Sequence, residues 1–208
     1  MSRLLYIEAS PRKKRSSSIA IAHFFLEHYK KEHPEDEVAV VDLWNKHLPE
    51  FNGDVIDAKY AILHGKPHTQ EQAKAWKQVE EAIEEFKNAD KYVFSLPMWN
   101  FGIPYKLKHY IDVLVQPGYT FSVSSTGYVG LVANKKALLV YSRGGAYGAE
   151  TGAQDLDMQK RYMETILGFI GFKNLTSAVI EPTLAGEEQK ELSMQAAREQ
   201  LKNLASNF

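Results

Sequence analysis

Three stretches of this chain combine residue types that could do chemistry. The first is Ser95-Leu96-Pro97-Met98-Trp99-Asn100-Phe101-Gly102-Ile103-Pro104, where apolar side chains surround a single amide, Asn100. Apolar faces with one well-placed hydrogen-bonding group suit a flat ring system with a polar edge. The second is Ser10 with the hydroxyl run Ser16-Ser17-Ser18, set directly before a helical pattern. A helix start offers unpaired backbone N–H groups and the positive end of the dipole, so hydroxyls there suit a phosphate. The third is Ser142-Arg143-Gly144-Gly145, two adjacent glycines soon after a strand pattern. Lacking side chains, they let backbone N–H groups approach the edge of a planar ligand. Each stretch also has a plain structural explanation: aromatics capping a core, a serine N-cap, a tight turn.

The rest of the chain narrows the chemistry. The serine loop has neither the G-x-G-x-x-G of dinucleotide folds nor the G-x-x-x-x-G-K-[ST] of P-loops, which favours a mononucleotide phosphate. Beside it, Arg12-Lys13-Lys14-Arg15 reads as solvated loop charge. The absence of Cys excludes a disulfide framework, a thiolate nucleophile and a thiolate metal site. No metal is expected. His64, His68 and His109 could carry protons by type only, and no residue is assigned as a protein acid or base. A net charge of −1 gives no reason to expect nucleic acid or an anionic membrane surface as a partner. No apolar run approaches the ~20 residues of a membrane span. With no secretory signal pattern either, the expected location is cytoplasmic.

The elements that must position these stretches follow from hydrophobic periodicity. Continuous apolar runs at Leu4–Ile7, Val38–Leu43, Tyr92–Leu96, Ala137–Ser142 and Leu175–Ile180 suit strands buried on both faces. Helical spacing alternates with them, first at Ile19, Ala22, Phe25, Leu26 and Tyr29. Thr69 with Gln72 forms a capping-box pattern before Trp76, Val79, Ile83 and Phe86. Further helices are expected near Ala58, over Tyr105–Val115, from about Leu156 to Gly171, and from Glu187 to about Ser206. Gln116–Leu131 reads as an irregular hairpin outside the sheet. This alternation predicts an α/β fold over 1–208 as one domain: a five-stranded parallel sheet, order 2-1-3-4-5, with helices on both faces. In that order the ends of the first, third and fourth strands are neighbours at the switch point, where open α/β sheets bind ligands. The three loops therefore converge on one edge.

The four segments Ser10 with Ser16-Ser17-Ser18, Pro97-Met98-Trp99-Asn100-Phe101, Gly118-Tyr119-Thr120-Phe121 and Ser142-Arg143-Gly144-Gly145 stand in this order along the chain. In combination they resemble the FMN-dependent NADH azoreductase/quinone oxidoreductase family across essentially the full length. The resemblance implies a flavodoxin-like fold, non-covalent FMN with NADH as electron donor, and a homodimer with sites at the subunit interface. It assigns the FMN phosphate to Ser10, Ser16, Ser17 and Ser18. The ring is assigned to Met98, Trp99, Asn100 and Phe101, and its pyrimidine side to Ser142, Arg143, Gly144 and Gly145. Tyr119 and Phe121 are assigned to the substrate face, partly from the neighbouring subunit, against an equal expectation that they pack the hairpin into the core. Quinones and aromatic azo compounds are the implied substrates, reduced by a ping-pong exchange in which NADH and substrate use one face in turn.

A flavodoxin-like FMN electron carrier without its own substrate pocket is the alternative. Near-neutral charge and the extra Gln116–Leu131 segment argue against it. A flavin-free interaction domain on the same fold stands third, because fold alone does not assign function.

Overall fold

The computed structural model describes residues 1–208. In chain order its elements are β1 (Arg3–Glu8), α1 (Ser17–Glu32), β2 (Glu37–Asp42), α2 (Gly53–Leu63), α3 (Gln70–Lys87), β3 (Lys91–Pro97) and α4 (Tyr105–Leu114). Then come β4 (Phe121–Ser124), β5 (Gly127–Gly130), β6 (Lys136–Ser142), α5 (Met158–Ile170), β7 (Asn174–Ile180) and α6 (Glu187–Ala205). Five strands form a parallel sheet in the order β2-β1-β3-β6-β7. Numbered among the sheet strands alone, that is 2-1-3-4-5. The β4–β5 pair is a separate antiparallel hairpin, as the Gln116–Leu131 pattern predicts.

The period of two along each strand divides the core. Leu5 and Ile7, Tyr92, Phe94 and Leu96, and Ala137, Leu139 and Tyr141 face one side, packed with apolar residues of α2 to α5. Leu4 and Tyr6, Val93, and Leu138 and Val140 face the other, packed with Phe25 and Tyr29 of α1 and with Met194 and Leu201 of α6. The inner strands β1, β3 and β6 are buried on both faces and need apolar residues at nearly every position, which explains their unbroken runs. β2 and β7 depart from that expectation, because as edge strands they are only partly covered, with Val40 59% exposed.

Local chemistry sets the helix starts. Thr69 accepts the Gln72 amide at 3.1 Å while the Gln72 side chain accepts the Thr69 amide at 2.9 Å, completing the capping box. Asn52 caps α2, which runs for 11 residues. Pro104 takes the N-cap position of α4, one place before the first turn. No helix is long and apolar enough to cross a membrane.

Candidate functional site

β1, β3 and β6 end together. The Ala9 amide donates to the Ser95 carbonyl at 3.0 Å and the Met98 amide to the Ser142 carbonyl at 2.8 Å, each just past the named strands. The loops Ser10–Ser18, Pro97–Ile103 and Ser142–Tyr147 thus leave the sheet side by side.

In the first loop Ser10, Ser16 and Ser18 are buried and Ser17 is half-buried. Ser16 caps α1, its Oγ accepting the Ile19 amide at 3.4 Å, and lies 3.1 Å from Ser18 Oγ. Ser10 Oγ accepts the Arg12 amide at 3.4 Å. These bonds are long for their type, so the hydroxyls retain capacity for a stronger acceptor. Lys13 departs from the reading of Arg12–Arg15 as solvated charge. Its Nζ lies 2.5 Å from both Glu8 Oε1 and Asp42 Oδ1, which stand in register at the ends of β1 and β2. Burial opposes its charge, but hydrogen bonds to Asp42 and Glu8 outweigh that and raise its pKa. Lys13 makes these contacts from a backbone at φ 46°.

The second loop is a tight reversal. Trp99 and Gly102 exchange both backbone hydrogen bonds, at 3.0 and 2.9 Å, with Asn100 at φ 47° and Phe101 at φ 66° between them. Two consecutive positive φ angles mark a type I′ turn, which Asn tolerates and Phe does not. Phe101 nevertheless stays 42% exposed, so core packing is not what recompenses its backbone. Strain held at an exposed aromatic points to a ligand surface. The Trp99 ring lies 5.8 Å from Trp44 and 6.2 Å from Tyr105 between centroids, and is itself partly exposed. Trp44 donates its indole N–H to the Ala9 carbonyl at 3.0 Å, tying the end of β2 to the first loop. Sequence reasoning missed Trp44, since an isolated Trp after a strand carries no distinguishing pattern.

The third loop brings two glycines with exposed or half-exposed backbone. Arg143 departs from its expected role. It is 3% exposed, and its guanidinium meets Asp157 Oδ2 at 2.7 Å, Glu181 Oε2 at 3.2 Å and Gln159 Oε1 at 3.1 Å. Its amide and carbonyl are used as well, bonded to Ile180 and Thr183. Arg143 thus anchors the loop, and Gly144 and Gly145 are what the loop presents. A Cβ on Gly144 would come within 2.8 Å of Leu184 Cδ1, and one on Gly145 within 3.4 Å of the Tyr147 hydroxyl.

Tyr119 and Phe121 are not brought to these loops within one chain. The Tyr119 hydroxyl donates to Glu80 Oε1 at 2.6 Å and accepts the Trp76 indole N–H at 3.2 Å. Burial, with Glu80 beside it, raises its pKa. Phe121 packs 4.8 Å from Phe169 in the last turn of α5. That end of α5 meets the segment leading into β6, where Val132 donates to the Ile170 carbonyl. It is the opposite end of the sheet. His109, His64 and His68 each place one ring nitrogen on a backbone carbonyl, His109 on Pro49 at 2.8 Å, His64 on Tyr60 and His68 on Lys66. No cluster of side chains suited to a metal ion is present. A cleft of about 510 Å³ between α2 and α3 carries Glu50, Asp54 and Glu71 with Val55 and Ala75 as its apolar side chains, a lining poorly suited to a flat ring.

The donor set at the sheet edge fits FMN. Hydroxyls and helix-start amides suit a phosphate, an exposed apolar turn with one amide suits the ring, and side-chain-free backbone suits its polar edge.

Comparison with known proteins agrees. A family model described as flavodoxin-like fold matches residues 2–205. An FMN-dependent NADH:quinone oxidoreductase of Nitratidesulfovibrio vulgaris is 47% identical over 209 residues, covering 100% of both chains. Another so named, from Desulfotalea psychrophila, is 46% identical over 100% of this chain and 98% of its own length. The crystal structure of an azoreductase from Bacillus anthracis superposes with a TM-score of 0.92 at 34% identity over the whole of both chains. An FMN-dependent NADH-azoreductase from the same species, solved in complex with FMN, gives 0.91 at 27% identity, covering 100% of this chain and 99% of that one. The sheet order, the three converging loops and end-to-end similarity at this level lead to one assignment: the chain belongs to the flavodoxin-like fold family and, within it, to the FMN-dependent NADH:quinone oxidoreductases.

Proposed function

We propose that this protein transfers two electrons from NADH to quinones and to aromatic azo compounds with non-covalently bound FMN, as a cytoplasmic homodimer. The observation that carries the reading is the convergence of the serine loop, the strained Asn100–Phe101 turn and Gly144-Gly145 on one sheet edge. Bound FMN supplies the redox chemistry; the protein supplies binding, orientation and electrostatics. Ser10 and the Ser16–Ser18 hydroxyls and amides hold the phosphate at the positive end of α1. Met98, Trp99, Asn100 and Phe101 line the ring, and Ser142 stands at the end of β6 beside its polar side. The Gly144 and Gly145 amides donate to the edge where negative charge collects on reduction. Arg143 acts behind them, holding the loop.

Dimerisation is the route by which Tyr119 and Phe121, just before and at the start of the β4–β5 hairpin, serve the substrate face of the other subunit. Val123 and Tyr128 on that hairpin are each 69% exposed, apolar surface of the kind subunit contacts cover.

Initial rates test the proposal. With FMN-loaded protein, varying NADH at several fixed concentrations of a benzoquinone should give parallel double-reciprocal lines, the pattern of one face used in turn. Intersecting lines would contradict the shared face. No steady NADH oxidation would favour an electron carrier.

A further inference from the structure

Reducing a quinone to a quinol takes two electrons and two protons, and a hydride carries only one of those protons. The remaining proton needs a donor beside the substrate. At the three loops two of the charged side chains are engaged within the protein: Lys13 with Glu8 and Asp42, and Arg143 with Asp157 and Glu181.

From this we infer that Tyr147 is the hydrogen-bond and proton donor to the substrate oxygen. The inference rests on the function proposed above. Tyr147 follows the double glycine, is half-buried, and donates no side-chain hydrogen bond within the protein. Its hydroxyl hangs over Gly145, within 3.4 Å of where a Cβ there would stand. Its ring meets Phe101 edge-on, 6.2 Å between centroids and 79° between planes. The side chain thus spans the second and third loops across the edge assigned to the ring. The other hydroxyl nearby, Ser142, belongs to an alcohol, a far weaker acid than a phenol.

Tyr147 is also held in place. Its amide donates to Glu181 Oε2 at 3.1 Å, the same oxygen that lies 3.2 Å from Arg143 Nη1. The Arg143 guanidinium lies 5.9 Å from the Tyr147 ring centroid, within cation–π reach. Gln159, bonded to Arg143 Nε, extends the network to the Leu96 carbonyl at the end of β3. Arg143, Glu181 and Gln159 are positioning residues: they fix the tyrosine relative to the strand ends. This gives the buried ion cluster a purpose beyond stability.

In the step assigned to Tyr147, the O–H bond breaks as the quinone oxygen gains its proton. The two electrons and the other proton come from NADH by way of the bound cofactor. Water then returns a proton to the phenolate. An azo nitrogen would receive its proton in the same manner.

The test separates the half-reactions of Tyr147→Phe, a substitution that keeps the ring against Phe101 and removes only the hydroxyl. FMN affinity and the rate of reduction by NADH should match the unsubstituted protein. Reoxidation by a benzoquinone should slow about 100-fold, and its solvent isotope effect should shrink. Binding of a benzoquinol to the oxidised protein, followed by the shift of the visible band, should weaken about 10-fold. Unchanged reoxidation, isotope effect and quinol binding would overturn the role of Tyr147 while leaving the enzyme reading intact. Failure of NADH to reduce FMN in the unsubstituted protein would overturn both.

Discussion

The Met98 amide donates to the Ser142 carbonyl at 2.8 Å, so the β3–β6 ladder carries on into both loops. The turn at Asn100 and the glycines at Gly144 are therefore fixed to one rigid edge. Ring-binding groups held this way need no ordering when a ligand arrives, which favours affinity.

Asn100→Gly should separate side chain from backbone. Glycine accepts φ 47° without strain, so the turn survives and only the amide is lost. FMN affinity should fall about 3- to 10-fold, the worth of one hydrogen bond, with an unchanged melting temperature of the apoprotein. Fluorescence titration of FMN measures it; equal affinity would remove the Asn100 amide from the site.

Phe101→Gly should trade binding for stability. The left-handed backbone costs a non-glycine residue about 1–2 kcal/mol, and the exposed ring returns little by burial. Urea unfolding of the apoprotein should show equal or greater stability, while FMN affinity declines. Loss of stability would mean that the ring packs more firmly than its exposure suggests.

Arg143→Met should be severely destabilising. It would leave Asp157 and Glu181 facing each other without a counter-charge, and breaking a buried pair of this kind costs about 3–5 kcal/mol. Thermal unfolding reads the result. A small change would show that the cluster relaxes into solvent.

Acid stability has an identifiable contributor at the other end of the sheet. The Asp36 carboxylate accepts the Tyr29 hydroxyl at 2.6 Å and the Ser2 amide at 2.6 Å, and Lys91 lies 3.3 Å away. These bonds, Tyr29 first, lower its pKa from 3.8 to about 2. A depressed carboxylate adds stability that is fully present above its unfolded value and is lost as pH falls through the folded one. The urea midpoint should therefore drop as pH falls from about 4 toward 2, and Asp36→Asn should flatten that part of the profile. An identical profile in the variant would assign the loss to other groups.

The sequence made the sheet readable because its inner strands are buried on both faces and so are apolar almost throughout, as in Leu4–Ile7 and Tyr92–Leu96. It made the site edge readable because chain order and right-handed crossovers allow few alternatives. Long-range pairing was another matter. Nothing near Lys13 says that Asp42 lies beside it, since that contact depends on β2 pairing in register with β1. Arg143 stands within a loop yet turns inward, because its partners Asp157 and Glu181 arrive from later elements. Tyr119 likewise meets Glu80 and Trp76 only through the packing of its loop against α3.

The most direct measurement is an anaerobic titration of the FMN-loaded protein with NADH. The account predicts that stoichiometric NADH bleaches the flavin band near ~450 nm and that a quinone restores it in full. Bound FMN that NADH cannot reduce would contradict it.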